Sequence, residues 1–486
     1  MDKLSINLSD YGYQSQGFGS MSQENVDALN KALSAGDITG RETTDLTDAS
    51  GAPLKVESLE KTLKHLTFRE SDIRMWKDLP KKPAYNTVEE YNQQLSYGQD
   101  RGGFNAEGEL PEEEDSIYRR KAQLVKYLGV TKSVTHQMTL VNTMIGNIME
   151  KTIKDGTLWI LRKLNQALYF GDERLNALEF NGFIAQQEHS DAWADRNTYF
   201  NSEHVIDCRG GALGEEHIED AANAIVESYG LGNQLYAPPS VLSSFVKNFY
   251  GNKFIMPNTE GLRNGIMGQR VQAFQSQFGE IGLNQDIFFK KHPAKPATAD
   301  KTSDKAPNKP TVTAAAVATD ANSKVETSDA GNVFYAVSAV NRYGESELAV
   351  YDTAVALAAG GAADITITDG GGIHSATSYR IYRTKVGGTK DGPFYPIFTV
   401  SKDDVTRGLD GAAAGSIRDL NRFIPNCDQA LLFQFDNEVI EFAQLAPLMK
   451  MDLAMLSPAY RFMVLLYGTP LLYNPKKMVR FINIGV

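Results

Sequence analysis

Few residues in this chain have the type and spacing that covalent chemistry needs. The seven histidines, His65, His136, His189, His204, His217, His292 and His374, could ligate a metal or relay protons. No two of them share the short spacing that puts two ligands on one helix face, and no H-E-x-x-H is present. Cys208 and Cys427 fit no metal or disulfide pattern, so two reduced structural thiols are expected. Gly370, Gly371 and Gly372 could approach a phosphate, but they lie between strand-like runs with no helix to follow. There is no P-loop and no G-x-S-x-G elbow. The sequence therefore predicts no catalytic residue, no cofactor site and no metal site.

The conspicuous ionic feature does a different kind of work. Glu107, Glu109, Glu112, Glu113, Glu114 and Asp115 crowd into nine positions, and Arg119 and Arg120 follow at once, with Lys121 after them. Like charges this close repel one another, so an opposite partner on another molecule is a reasonable expectation. The plainer reading is a solvated, charged hairpin tip.

Composition narrows the function classes. Apolar residues make up 42% and charged residues 22% of 486, ordinary for a globular chain large enough for two or three domains. A net charge of −11 argues against a nucleic-acid binder that works through a basic surface. It leaves room for a container. No apolar run approaches the ~18–20 residues of a membrane span. The first residues, MDKLSINLSDYGYQSQ, lack an apolar signal core, so synthesis in a cytoplasm is expected.

The elements that would position the charged tip follow from periodicity. Residues 1–66 are polar and glycine-broken, with short helices predicted at 22–34 and 56–66, and read as an arm. Phe68 to Leu79 reads as a strand, and the acidic excursion follows within 67–125. Val125, Tyr127, Val130 and Val134 alternate as strands. Residues 139–170 then carry one stripe, through Leu140, Met144, Ile148, Trp159, Ile160, Leu164 and Leu168, which predicts a helix of about 30 residues, roughly 45 Å long. Gly171 is expected to stop it in the left-handed conformation. A strand at 199–208 and a helix at 215–229 ended by Gly230 complete this part. Helices and strands mix without a βαβ rhythm, so the class is α+β.

At 293–309 the composition turns to Pro, Ala, Lys and Thr, as in a linker. Residues 310–422 then read as all-β, with strands at 333–340, 363–368, 378–384 and 395–400. The string YAVSAVNRYGES at 335–346 resembles the penultimate strand of fibronectin type III domains, which implies an immunoglobulin-like sandwich. Tyr335, Tyr343, Tyr379, Tyr382 and Tyr395 could line an aromatic binding face or fill its core.

Four segments share a second resemblance. They are TLVNTMIGNIMEKTIKDGTLWILRKLNQALYFGDERLNALEFNGF at 139–183, NQLYAPPSVLSSFVKNFY at 233–250, FQSQFGEIGLNQDIFF at 274–289, and the stretch from Leu445 to Ile484. In that order they resemble the spine helix, axial-domain segments and closing segment of tailed-phage major capsid proteins with the Hong-Kong-97-type shell fold. The resemblance implies an extended loop at 67–125, a peripheral domain at 126–210, an axial domain at 211–292 and a core closed by 423–486, interrupted by the sandwich as an insertion. It further implies a self-assembling shell protein of the virion, in hexamers with pentamers left open, enclosing double-stranded DNA without sequence-specific binding. Scaffolding, portal or minor capsid proteins would be its partners. An adhesin or carbohydrate-binding protein carried by the sandwich, and a cytosolic enzyme, are the alternative readings.

Overall fold

The computed structural model describes residues 67–98, 104–110, 113–141, 147–252, 271–289, 292–455 and 457–485. The helices expected at 22–34 and 56–66, together with Glu112 and Met144, lie outside the described residues. The class is α+β, as the sequence predicts.

The central rod is helix α1, Ile148–Phe170. Its 23 residues span about 35 Å. It is shorter than the stripe suggests. The chain leaves its preceding strand at Thr135 and makes a short separate helix at His136–Leu140, and α1 begins at Ile148. Asn147 caps α1, its side-chain oxygen accepting from Met149 N–H at 3.1 Å. Leu140, expected on the stripe, is 73% exposed. Ile160, Leu161, Leu164 and Leu168 are buried, Trp159 is half-buried and Lys154 is exposed. Gly171 does stop the helix, but with φ −60°, not left-handed. A Cβ there would stand 2.6 Å from both Ala167 O and Phe180 O, so close chain approach, not handedness, is what demands glycine.

Helix α1 lies on a four-stranded sheet of order β1-β20-β21-β4, built from Lys81–Pro83, Ile440–Asp452, Ala459–Leu472 and Lys126–Thr135. Phe462, Val464 and Leu466 on β21 share its core with Ile160, Leu164 and Leu168. Phe68 to Leu79 is not a strand. It forms a 3-10 turn at Glu70–Asp72 and a helical turn at Met75–Asp78, which buries Ile73, Met75, Trp76 and Leu79 in the same core.

A second sheet has order β5-β22-β19-β6-β8-β7, from Val205–Asp207, Met478–Ile484, Asp428–Phe433, Gln234–Ala237, Gly279–Gln285 and Ala273–Ser276. Helix α2, Glu215–Glu227, and helix α3, Pro239–Asn252, pack on it through Ile218, Ile225, Val241 and Phe245. On β19, Ala430 and Leu432 face these helices, while Leu431 and Phe433 join the core of α1. Of the strand read at 199–208 only Val205–Asp207 is extended; Tyr199 and Phe200 end a helical turn, Arg196–Phe200, and turns join the two. Tyr229 (φ 59°), not Gly230, takes the left-handed position after α2.

Between β8 and β19 lies a block of strands that pair with one another. Thr311–Val317 (β9), Ala362–Thr368 (β15) and Ser416–Asp419 (β18) form one sheet of order β18-β15-β9. Tyr335–Asn341 (β11), Ser378–Arg383 (β16) and Tyr395–Ser401 (β17) form the other, with the short β12 (Gly344–Glu345) and β13 (Ala349–Val350) on β11. A small pair, Gly331–Val333 (β10) with Val355–Leu357 (β14), flanks them. Side chains of both sheets, such as Ile365 and Ile417 with Val337 and Ile381, meet in one buried cluster. Tyr199, Phe200, Val205 and Ile482, from outside the block, belong to that cluster too. The proline-rich entry is not a free tether. Lys295 exchanges both backbone hydrogen bonds with Phe394 and pairs with Glu345 at 2.8 Å, and Ala297 and Ala299 pack beside Tyr382.

Candidate functional site

Among the described residues no group of three or more His, Cys, Asp or Glu could hold a metal ion. Cys208 and Cys427 are buried and free, and burial, with Asp207 and Cys427 nearby, pushes the Cys208 thiol up to about 12. A thiol in that state is a poor nucleophile. The aromatic face imagined for the strand block does not form. Tyr335, Tyr379 and Tyr382 are core residues, Tyr395 is half-buried and Tyr343 alone is well exposed.

The buried charges are structural. Arg196 donates to Glu188 at 2.8 Å and to Asp410 at 2.8 Å, which joins the strand block to the rest of the chain. Arg422 meets Asp410 at 3.0 Å, and Arg480 meets Glu188 at 3.2 Å. The Arg196, Arg422 and Arg480 guanidiniums all lie over the Phe200 ring, at 5.5, 4.7 and 6.0 Å from its centroid. Burial alone would raise the Glu188 carboxyl, but Arg196 and Arg480 overcome it and hold it down at about 2. Inside the block, Arg383 binds Asp419 at 2.7 Å and Tyr335 donates to the same oxygen at 2.8 Å. Under α1, Asp286 accepts from Asn165 at 2.7 Å and Tyr169 at 2.9 Å, and burial raises its pKa.

The exposed feature is a two-stranded ribbon, β2 (Val88–Ser96) antiparallel to β3 (Ile117–Leu124). Its root is anchored. Tyr91 meets Tyr473 edge to face with centroids 5.0 Å apart, Gln93 donates to Tyr473 O, and Lys82 pairs with Glu89 at 2.8 Å. Tyr473 in turn donates to Glu441 at 2.7 Å. Beyond the root, the described residues place no core beneath the ribbon. Leu95, Tyr97, Phe104, Leu110, Ile117 and Tyr118 are all at least half exposed, Phe104 fully and Leu110 at 93%. A lone two-stranded ribbon with its apolar side chains in water is only marginally stable.

The acidic residues sit at its end. Glu107, Glu109, Glu113, Glu114 and Asp115 are exposed, with Glu109 N–H closing a turn on Ala106 O at 3.1 Å. Glu114 lies beside Gly98. The basic residues do not join them. Arg119 and Lys121 both reach Asp191, at 3.4 and 2.9 Å, and Arg120 reaches Glu90 at 3.3 Å and Asn92 at 3.2 Å. Their role is to brace the ribbon, and Lys121 holds the Asp191 carboxyl below the usual range. The structure thus separates an acidic tip from a basic root that the sequence presented as one cluster. Sequence reasoning also passed over the tip's apolar side chains. The signal was there, in Tyr97, Phe104, Leu110 and Tyr118 interleaved with the acids in a segment with no periodic partner.

No protein-family model matches the chain. It is similar to the major capsid proteins of Staphylococcus phage S25-3 and Staphylococcus phage K, each 25% identical over 458 residues, covering 92% of this chain and 93% of the relative. Among solved structures, a chain titled Mycobacterium phage Ogopogo overlaps 89% of this chain and 98% of its own length, at 9% identity and TM-score 0.43. The SrpI encapsulin complex of Synechococcus elongatus PCC 7942 overlaps 91% of this chain and 96% of its own, at 8% identity and TM-score 0.38.

Proposed function

We propose that this chain is the major capsid protein of a tailed bacteriophage, a subunit of the icosahedral head that encloses double-stranded DNA. The observation that carries the reading is similarity to phage major capsid proteins along nearly the whole of both chains. The Hong-Kong-97-type shell fold fits the elements: α1 backed by a sheet as a rigid plate, and an anchored ribbon with an uncovered end.

In this reading the extended loop of 67–125 is confined to its ribbon, Val88–Leu124, since Ile73 to Pro83 pack in the core and its sheet, while 126–210 is the peripheral domain and 211–292 the axial domain. Residues 310–422 are an immunoglobulin-like sandwich displayed on the outer surface, and 423–486 close the core. The mechanism is association. The ribbon tip reaches an adjacent subunit, its carboxylates meeting basic residues there. One exposed ion pair contributes only ~0–1 kcal/mol, but the contact recurs at every lattice position. Hexameric rings, with or without pentamers, then close the shell. The alternative of a sandwich-borne adhesin loses its support, because three of its five tyrosines are buried.

The test is sedimentation of the purified full chain. A fast-sedimenting particle or ring population supports the reading. A 53.5 kDa monomer at every concentration and salt tried, while still folded, contradicts it.

A further inference from the structure

The strand block and its host meet around the Phe200 ring, and positive charge is in excess there. Three guanidiniums, from Arg196, Arg422 and Arg480, pair directly with two carboxylates, Glu188 and Asp410. A cleft of about 160 Å³ opens beside them. Its apolar walls, Phe200, Val205 and Ile482, are buried host residues. Its polar lining includes Asn201 and Asp207 from the host, Lys324 from the block, and Arg422 at the block's exit. Three donors in that lining lack an acceptor among the described residues. Arg422 is buried, and its terminal nitrogens donate to Asp410 at 3.0 Å and to Asn197, which leaves its Nε–H over. Burial, with Arg196 nearby, holds this guanidinium below its ordinary value in spite of Asp410. The Lys324 ammonium makes no ion pair, although its backbone is fixed, with N–H donating to Leu420 O at 2.8 Å and O accepting from Arg209. The Asn201 side-chain amide is the third. Asp207, the carboxylate in the lining, is already engaged. Its Oδ1 accepts from Arg209 N–H at 3.0 Å and from Asn483 at 2.7 Å, and Arg209 Nε lies 3.6 Å from Oδ2.

We propose that this cleft binds a phosphate group, held by Lys324 and Arg422 on one side and by Asn201 on the other. One water needs roughly 10–15 Å³, so a phosphate with several waters fits. A tetrahedral dianion supplies the acceptors that the three donors lack, and it offsets the surplus cation. The apolar walls keep the local dielectric low, which makes the attraction stronger than on an open surface. A net charge of −11 disfavours a long polyanion and leaves a small dianion as the fitting ligand. The bound ion bridges block and host, and so tightens the joint that Arg196 and Asp410 already make. It does so whether or not the chain forms a shell.

The test is calorimetric titration of the full-length chain with inorganic phosphate and, in parallel, with glucose 6-phosphate, in chloride buffer of matched ionic strength. Saturable binding at one site per chain is expected. Binding of inorganic phosphate identifies the free ion as the source, and binding of the ester alone identifies a phosphorylated small molecule. Lys324→Ala and Asn201→Asp, each with wild-type circular dichroism, should weaken that binding by roughly tenfold or more, the scale of one charged hydrogen bond. Lys154→Ala, on the exposed side of α1, should bind like wild type. A second measurement needs no variant. On adding phosphate, hydrogen exchange in the wild-type chain should slow over 199–207 and 322–326 and stay unchanged in the β2–β3 ribbon. No saturable binding of either compound, or unchanged affinity in Lys324→Ala, overturns the inference. So does exchange that slows equally with sodium chloride.

Discussion

At the residue scale, the argument turns on which charges are satisfied within the chain. Glu188 is buried between Arg196 and Arg480, and its carboxyl is held at about 2 against an ordinary 4.5. A depressed folded-state value means stability that is present above the unfolded value and is lost as pH falls through the folded one. Glu188 therefore contributes fully above about pH 4.5 and loses its contribution between there and about pH 2. Glu188→Gln should lower the melting temperature at pH 7, since breaking one partner out of a buried ion pair costs on the order of 3–5 kcal/mol. The gap to wild type should narrow between pH 4.5 and 2, and thermal melts across that range would show it. The stripe of α1 gives a second case. Ile160 is fully buried, so Ile160→Asp should cost several kcal/mol and yield insoluble protein. Lys154→Ala, on the exposed side, should change the melting temperature by little.

At the scale of elements, the ribbon and the strand block make opposite predictions. The ribbon's exposed acids are not needed for its own fold. Glu107, Glu109 and Glu113 changed together to Gln should leave the melting curve of the subunit unchanged and lower the dissociation temperature of assembled particles. Salt near 1 M, which shortens the screening length to about 3 Å, should lower the wild-type value to the same degree. Coincident curves at low salt would mean that the tip carboxylates meet no partner. The strand block is less independent than its sequence suggests. Its core is completed by Tyr199, Phe200, Val205 and Ile482 from outside, and Arg196 ties it down through Asp410. Residues 306–422 expressed alone should therefore melt well below the same block in the full chain, read by β-type circular dichroism. Phe200→Ala should cost ~3–5 kcal/mol and weaken the block as well as the host.

These elements also show what the sequence could and could not disclose. Local signals were sufficient where one face is apolar and a breaker follows. The stripe of α1 and the strands read at 363–368 and 378–384, present as β15 and β16, appear in the structure. Signals that depend on distant partners were not legible. Phe68 to Leu79 has strand-like composition, yet it coils into turns because Trp76 N–H finds Asn165 Oδ1 at 3.1 Å on a helix 89 positions away. Arg119 and Arg120 read as part of one intersubunit interface with the acids near them, but Asp191 and Glu90 pair with them within the chain. Gly171 read as a handedness signal, and the packing of Phe180 against the helix end explains it better.

At the scale of the whole molecule, the described residues leave the apolar side chains of the ribbon, Phe104 and Leu110 among them, exposed. The most direct measurement is electron microscopy of the purified full-length chain under assembly conditions. The account predicts closed shells or six-membered plates in which the ribbon of one subunit overlies its neighbour. Folded, dispersed single subunits at every concentration and salt would contradict it.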